Sequence, residues 1–174
     1  KISRWFRANK MAVNTSKTKF IIFHTKGKIV NTQGLNLLFD DNDNDEYTDP
    51  TKITTLERVH NNNHNPSSRT YKLLGINLDE HLNLNIHITS LLTKLSRGLF
   101  FLKRAKNLLP QESLKLLYYS MFHSHLLYCT NIITITSQSN LNKISLMQRK
   151  AIRIITNSSY HAHTDPLFLS LGIL

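Results

Sequence analysis

From about residue 84 onward the apolar positions recur every three or four residues: Ile88, Leu91, Leu92, Leu95, Leu99 and Leu102. That spacing lays them along one face of an α-helix. Pro110 supplies a stop, and Gln111-Glu112 open a second helix. Its stripe is Leu114, Leu117, Tyr118, Met121 and Phe122, running into His125 and Leu126. A third periodic run covers roughly 140–157 through Leu141, Ile144, Met147, Ala151, Ile154 and Ile155, and Asn157-Ser158-Ser159 ends it. The pattern predicts a bundle of about three helices over 83–174.

The first half has a different rhythm. KISRWFRANK at 1–10 fits the end of an amphipathic helix, with Ile2, Trp5, Phe6 and Met11 towards one face and Arg4, Arg7 and Lys10 outside it. KFIIFH at 19–24 reads as a buried strand and Gly27 as a turn. LNLLF at 35–39, ITTLERV at 53–59 and TYKLLGINL at 70–78 read as further strands. The acidic tract DDNDNDEYTDP at 40–50 and the polar tract NNNHNPSS at 61–68 have little to bury and read as loops. The acidic tract is not an EF-hand: Glu46 stands where the sharp turn needs Gly, and Lys52 where a bidentate Glu belongs. The expected fold class is therefore α+β, a small antiparallel sheet over 1–82 followed by the helical bundle.

Charge sharpens the picture. The chain carries 22 Lys+Arg against 11 Asp+Glu, a formal charge of +11, and basic segments on either side flank the acidic one. Such a balance favours a polyanionic partner, nucleic acid or an anionic membrane surface, over a merely soluble basic domain. Lys94, Arg97, Lys103, Arg104 and Lys106 lie off the apolar stripe of the first helix of the bundle; Lys143, Arg149, Lys150 and Arg153 lie off that of the third. Cations so spaced can neutralise successive phosphates. Cys129 is the single cysteine, which excludes an internal disulfide framework. No apolar run approaches the roughly 18 residues of a membrane-spanning helix, and no signal-peptide core is present. The first residue is Lys1 and the last, Leu174, closes an apolar segment, so the chain reads as part of a longer polypeptide.

Familiar catalytic signatures are missing. The close histidine pairs, His60/His64, His123/His125 and His161/His163, do not supply four ligands at a metal-binding spacing, and no metal site is expected from them. No P-loop, dinucleotide glycine motif, nucleophile elbow or HExxH occurs. Phe100, Phe101, Tyr118, Tyr119 and Phe122 fit helix packing better than base stacking.

Several segments, taken in order, resemble a known family. Trp5, Asn9, Met11, Asn14 and Lys17-Thr18-Lys19-Phe20 resemble the palm-closing signature of reverse transcriptases from non-LTR, LINE-type retrotransposons. Tyr71-Lys72-Leu73-Leu74-Gly75-Ile76-Asn77-Leu78-Asp79 resembles the strand that begins that family's primer grip. Leu82, His87-Ile88 and Lys94-Leu95 resemble the start of its thumb helix, although Leu84 stands where Trp is usual. Gln148-Arg149-Lys150-Ala151-Ile152-Arg153 and the closing Thr164-Asp165-Pro166-Leu167-Phe168 to Leu174 resemble segments further downstream.

The resemblance implies an RNA-directed DNA polymerase whose palm end and primer-grip strands occupy 1–82 and whose thumb and downstream helix occupy 83–174. The family's paired aspartates, in a Tyr/Phe-x-Asp-Asp turn, have no counterpart here: Asp40-Asp41, Asp45-Glu46 and Asp79-Glu80 are the adjacent acidic pairs, and none matches that turn. No catalytic residue is therefore assigned, and no cofactor is expected in this segment, Mg2+ belonging to the whole enzyme. The expected partners are an RNA–DNA hybrid or duplex held without regard to sequence, and the fingers and upstream palm of the same polypeptide, with no membrane. The expected contacts are Lys17, Leu74, Gly75, Lys94, Arg97, Lys103, Arg104, Arg149 and Arg153. Leu74-Gly75 would let a strand backbone pass close to the nucleic acid; the plain alternative is a bulge or tight packing. The rival readings are a non-enzymatic basic nucleic-acid-binding module and a decayed element remnant. Family logic places the protein in the nucleus and cytoplasm.

Overall fold

A computed structural model describes residues 2–28, 35–40, 53–59, 70–128 and 130–173. The chain is α+β: a short helix and small strand pairs come first and a run of helices follows. It divides into two compact units, Lys1–Leu82 and Asn83–Leu174. Most of the acidic tract 40–50 and all of the polar tract 61–68 lie outside the described residues.

Among the described residues of the first unit, helix α1 (Ile2–Ala8) precedes six short strands. β1 (Lys19–Ile21) pairs in parallel with β4 (Glu57–Val59). β2 (Leu38–Asp40) pairs antiparallel with β3 (Ile53–Thr55), and β5 (Tyr71–Leu73) antiparallel with β6 (Ile76–Leu78). The run 53–59, which reads as one strand, is thus two strands serving different partners. Lys19 and Glu57 face each other across the β1–β4 register, and their side chains meet at 2.8 Å. Opposite charges directly across a pair are the favourable arrangement. Val59, Phe39 and Ile76 are buried, whereas Trp5 and Met11 of the expected helix face are exposed.

The continuous strand expected over 70–78 is a hairpin instead. Leu74 and Gly75 form its two-residue turn, with φ of 46° and 85°. Positive φ at both central positions is the turn whose twist matches that of the flanking strands, and it favours Asn-Gly. Gly75 takes this backbone without steric cost, but Leu74 holds it at a cost of about 1–2 kcal/mol while its side chain is 80% exposed.

The second unit is built on α2 (Asn85–Ala105), α3 (Gln111–Tyr118), α4 (Ser124–Leu127), α5 (Thr130–Thr134), α6 (Gln138–Ile155) and α7 (Asp165–Leu171). Its core joins Ile88, Leu91, Leu95 and Leu102 to Leu114, Tyr118, Phe122, Ile144, Ala151, Ile152 and Ile155. The stripe over α2 is as the spacing predicts. On α6 the inward set includes Ile152, and Ile154 turns half outward. Ser137 caps α6 by accepting from the Asn140 amide at 3.4 Å. The buried Asn140 side chain donates to Asn85 Oδ1 at 2.8 Å and Thr136 Oγ1 at 3.1 Å, which ties the start of α6 to the start of α2.

The second predicted helix is not regular. Between α3 and α4 the chain makes a π-helical turn, Tyr119–His123. A π turn inserts one extra residue and loosens the carbonyl ladder. Here Ser120 Oγ donates to Leu117 O at 3.2 Å and Ser124 Oγ to Ser120 O at 2.6 Å, so hydroxyls occupy carbonyls along the distorted stretch. α2 crosses this turn at Gly98, where a Cβ would stand 3.3 Å from the Met121 carbonyl oxygen and 3.5 Å from the Phe122 ring.

Candidate nucleic-acid interface

Two helix faces in the second unit converge on a basic groove. On α2, Ser96, Leu99, Phe100 and Lys103 share one side of the helix, each three or four residues from another, and Lys106, the residue that caps its end, continues that side. At about 100° per residue they form a stripe roughly a quarter turn from the core stripe. α6 contributes Lys150, Arg153 and Ile154, and the segment after it Ser158 and Tyr160. Together these ten residues line a cavity of about 560 Å3. Four cations thus share one depression, because α2 and α6 pack side by side.

The local bonds fix where those cations stand. Arg153 Nε donates to Ala162 O at 3.0 Å, and its guanidinium lies 5.9 Å from the Tyr160 ring centroid. Lys106 Nζ donates to Asn157 Oδ1 at 3.2 Å. Among the described residues no carboxylate pairs with Lys103, Lys106, Lys150 or Arg153. The acidic residues of 83–174 are Glu112 and Asp165 alone. Among the described residues the groove is therefore a region of positive charge with no carboxylate paired to it, which suits an anion with several charges in a row. Phe100 and Tyr160 are 54% and 73% exposed at its edge. The packing role expected for the aromatics is met by Tyr118 and Phe122, each fully buried. It fails for Phe100 and Phe101, which are about half exposed, because they project from the side of α2 that the core leaves open.

Of the residues expected from the sequence, Lys103 and Arg153 meet in the groove. Arg104 stands next to it with its guanidinium 5.2 Å from the Phe100 centroid. Lys94 and Arg97 are exposed on α2 but project from other sides of the helix, Lys94 nearly opposite the groove stripe and Arg97 roughly a third of a turn from it. Arg149 is exposed on α6 and does not line the groove. Lys17 is an exposed residue of the first unit in the turn after Asn14, where its amide donates to Asn14 O at 3.1 Å. Leu74 and Gly75 are the exposed hairpin turn of that same unit. Lys106 and Lys150, which the sequence places among the cations off the apolar stripes, also line the groove, and Tyr160 joins them although no sequence pattern singles it out.

His87 sits in the first turn of α2 and is buried. Burial first, then the nearby Lys94 charge, hold its pKa below the ordinary 6.5. A depressed histidine binds its proton more weakly in the folded chain than in the unfolded one, so stability falls as pH drops below about 6.5. Urea unfolding at about pH 7 and about pH 5.5 should show this loss, and His87→Gln should reduce the difference.

Comparison with known proteins was made on this background. No protein-family profile matches the chain, and no solved structure matches it. Two curated relatives do match. The RNA-directed DNA polymerase from mobile element jockey of Drosophila funebris is 31% identical over 110 residues, covering 59% of this chain and 12% of that protein. Its counterpart from Drosophila melanogaster is 32% identical over 109 residues, covering 60% of this chain and 12% of the relative. The chain is similar to mobile-element reverse transcriptases. It spans about an eighth of the length of these polymerases, and the resemblance read from its motifs points the same way.

Proposed function

We propose that the chain is the palm-end and thumb portion of a non-LTR reverse transcriptase, and that the α2–α6 groove grips the phosphate backbone of the primer–template hybrid. The observation that carries this reading is the convergence of Lys103, Lys106, Lys150 and Arg153 on one cavity with no carboxylate partner among the described residues. Contacts of this type position a duplex and do not read its sequence. An A-like hybrid would be held by shape and phosphate spacing. The chain supplies placement, while the carboxylates that hold Mg2+ and perform nucleotide transfer belong to the upstream palm of the parent polypeptide.

Fluorescence anisotropy with a labelled RNA–DNA hybrid tests this. Four phosphate contacts predict that log K falls with log salt at a slope of about −3 to −4, with no preference among hybrid sequences. Absent binding, or binding indifferent to salt, would overturn the proposal. Retention of one sequence over all others would instead favour a sequence-reading module.

A further inference from the structure

The first unit contains a second constellation, unrelated to the groove. β1 leads into His24, whose amide donates to Glu80 O at 3.0 Å. β6 leads into Asp79, Glu80 and His81, and the Leu82 amide closes a turn on Asp79 O at 3.1 Å. These bonds bring together side chains 57 residues apart. His24 Nε2 lies 3.6 Å from Glu80 Oε2, and His81 Nε2 lies 3.7 Å from Glu80 Oε1. The ligating atoms of all three lie within 4.8 Å of one another. The imidazole rings meet edge to face at 4.7 Å.

The outer nitrogens decide the chemistry. His24 Nδ1 is 3.0 Å from Thr25 O, and His81 Nδ1 is 3.1 Å from His24 O. A carbonyl oxygen only accepts, so each Nδ1 carries a proton and donates it. In a neutral ring the Nε2 lone pair then points at the Glu80 carboxylate, which repels it. The Arg58 guanidinium stands 3.8 Å from Oε2. A cation between the three groups removes that repulsion. Histidines anchored through the other ring nitrogen to a backbone carbonyl are the arrangement metal ligands adopt. With metal–ligand bonds of about 2.1 Å, a tetrahedral ion holds its donor atoms about 3.4 Å apart; the two spacings, each to a different Glu80 oxygen, lie near this, and one ligand atom from each residue falls within 4.8 Å of the others. Glu80 has lone pairs enough on its two oxygens to serve both Arg58 and an ion.

We propose that His24, Glu80 and His81 form a binding site for a divalent transition-metal ion of the Zn2+ class. Three protein ligands leave a fourth position for water. Two imidazoles suit Zn2+ far better than Mg2+, so the site is separate from polymerase metal chemistry. The ion clips the segment after β1 to the segment after β6.

Calorimetric titration of Zn2+ into the metal-stripped 174-residue chain should give one ion per chain, and excess Mg2+ should not displace it. His24→Gln and His81→Gln should each raise Kd by at least about tenfold, whereas the double variant His161→Gln/His163→Gln should not change it. Should either ligand variant fail to fold, carbethoxylation of the unaltered protein decides, with Zn2+ protecting His24 and His81 but not His161. Lack of stoichiometric binding, binding lost through His161 and His163, or no protection of His24 and His81 would each overturn the site.

Discussion

The double variant Lys103→Glu/Lys150→Glu is expected to bind an RNA–DNA hybrid about a hundredfold more weakly than the unaltered chain. Each side chain stands on a different helix lining the groove. Losing one charge-assisted phosphate contact costs on the order of 1.5 kcal/mol, and each 1.4 kcal/mol is tenfold in affinity. The slope of log K against log salt should also shrink by about two. Net charge alone would weaken binding too, so the deciding control is Lys115→Glu/Lys143→Glu, which makes the same charge change outside the groove. That variant should lose only a fewfold. Equal losses in the two variants would mean that the chain attracts nucleic acid by its overall field, and that the groove has no special part. Both pairs need a check of helix content by circular dichroism.

The second large effect concerns stability. Gly98→Val should destabilise the helical unit by about 3 kcal/mol, measured by urea unfolding followed through the helix signal. Glycine in the middle of a 21-residue helix ordinarily costs up to about 1 kcal/mol relative to alanine. Its place is explained by the crossing, where the nearest obstacle is a backbone carbonyl and not the movable end of a side chain. Valine adds two methyl groups beyond the Cβ, and the fully buried Phe122, stacked on Tyr118 at 5.4 Å, leaves them little room. In Gly98→Ala the gain in helix propensity offsets much of the crowding, so its change should stay within about 1 kcal/mol of zero. If valine were tolerated as well as alanine, the close crossing would have no energetic meaning.

The helices were the most legible part of the chain, for a physical reason. A buried stripe repeats over several turns, so Ile88, Leu91, Leu95 and Leu102 announce α2 many times over. Strands of three residues give no such repetition. The alternation of Ile53 to Val59 continues across the junction between β3 and β4, and nothing local marks where one partner is exchanged for another. The 74–75 turn was hidden for a different reason: an exposed leucine occupies the position where asparagine would have advertised a hairpin, and Leu73-Leu74 then reads as continuous apolar strand. The cations were visible as a set, but which of them cooperate depends on how α2 lies against α6. That is why Lys103 and Arg153 meet while Lys94 and Arg97 do not, and why Lys150 joins them. Tyr160 follows the end of its helix, and Arg153 brings it to the groove. Histidine spacing likewise favours neighbours in sequence, and His24 and His81 are brought together by the backbone bond from His24 to Glu80 and by the bond from His81 Nδ1 to His24 O.

The π turn at Tyr119–His123 makes that stretch the place where this unit can absorb a change of length. Deleting one residue there lets the wide turn tighten into an ordinary one, and everything that follows keeps its orientation. The same deletion in the middle of α2 would swing Lys103 and Lys106 around the helix axis by about 100°, carrying them away from Lys150 and Arg153. Natural variation in chain length among relatives should therefore gather at the former segment and avoid the latter.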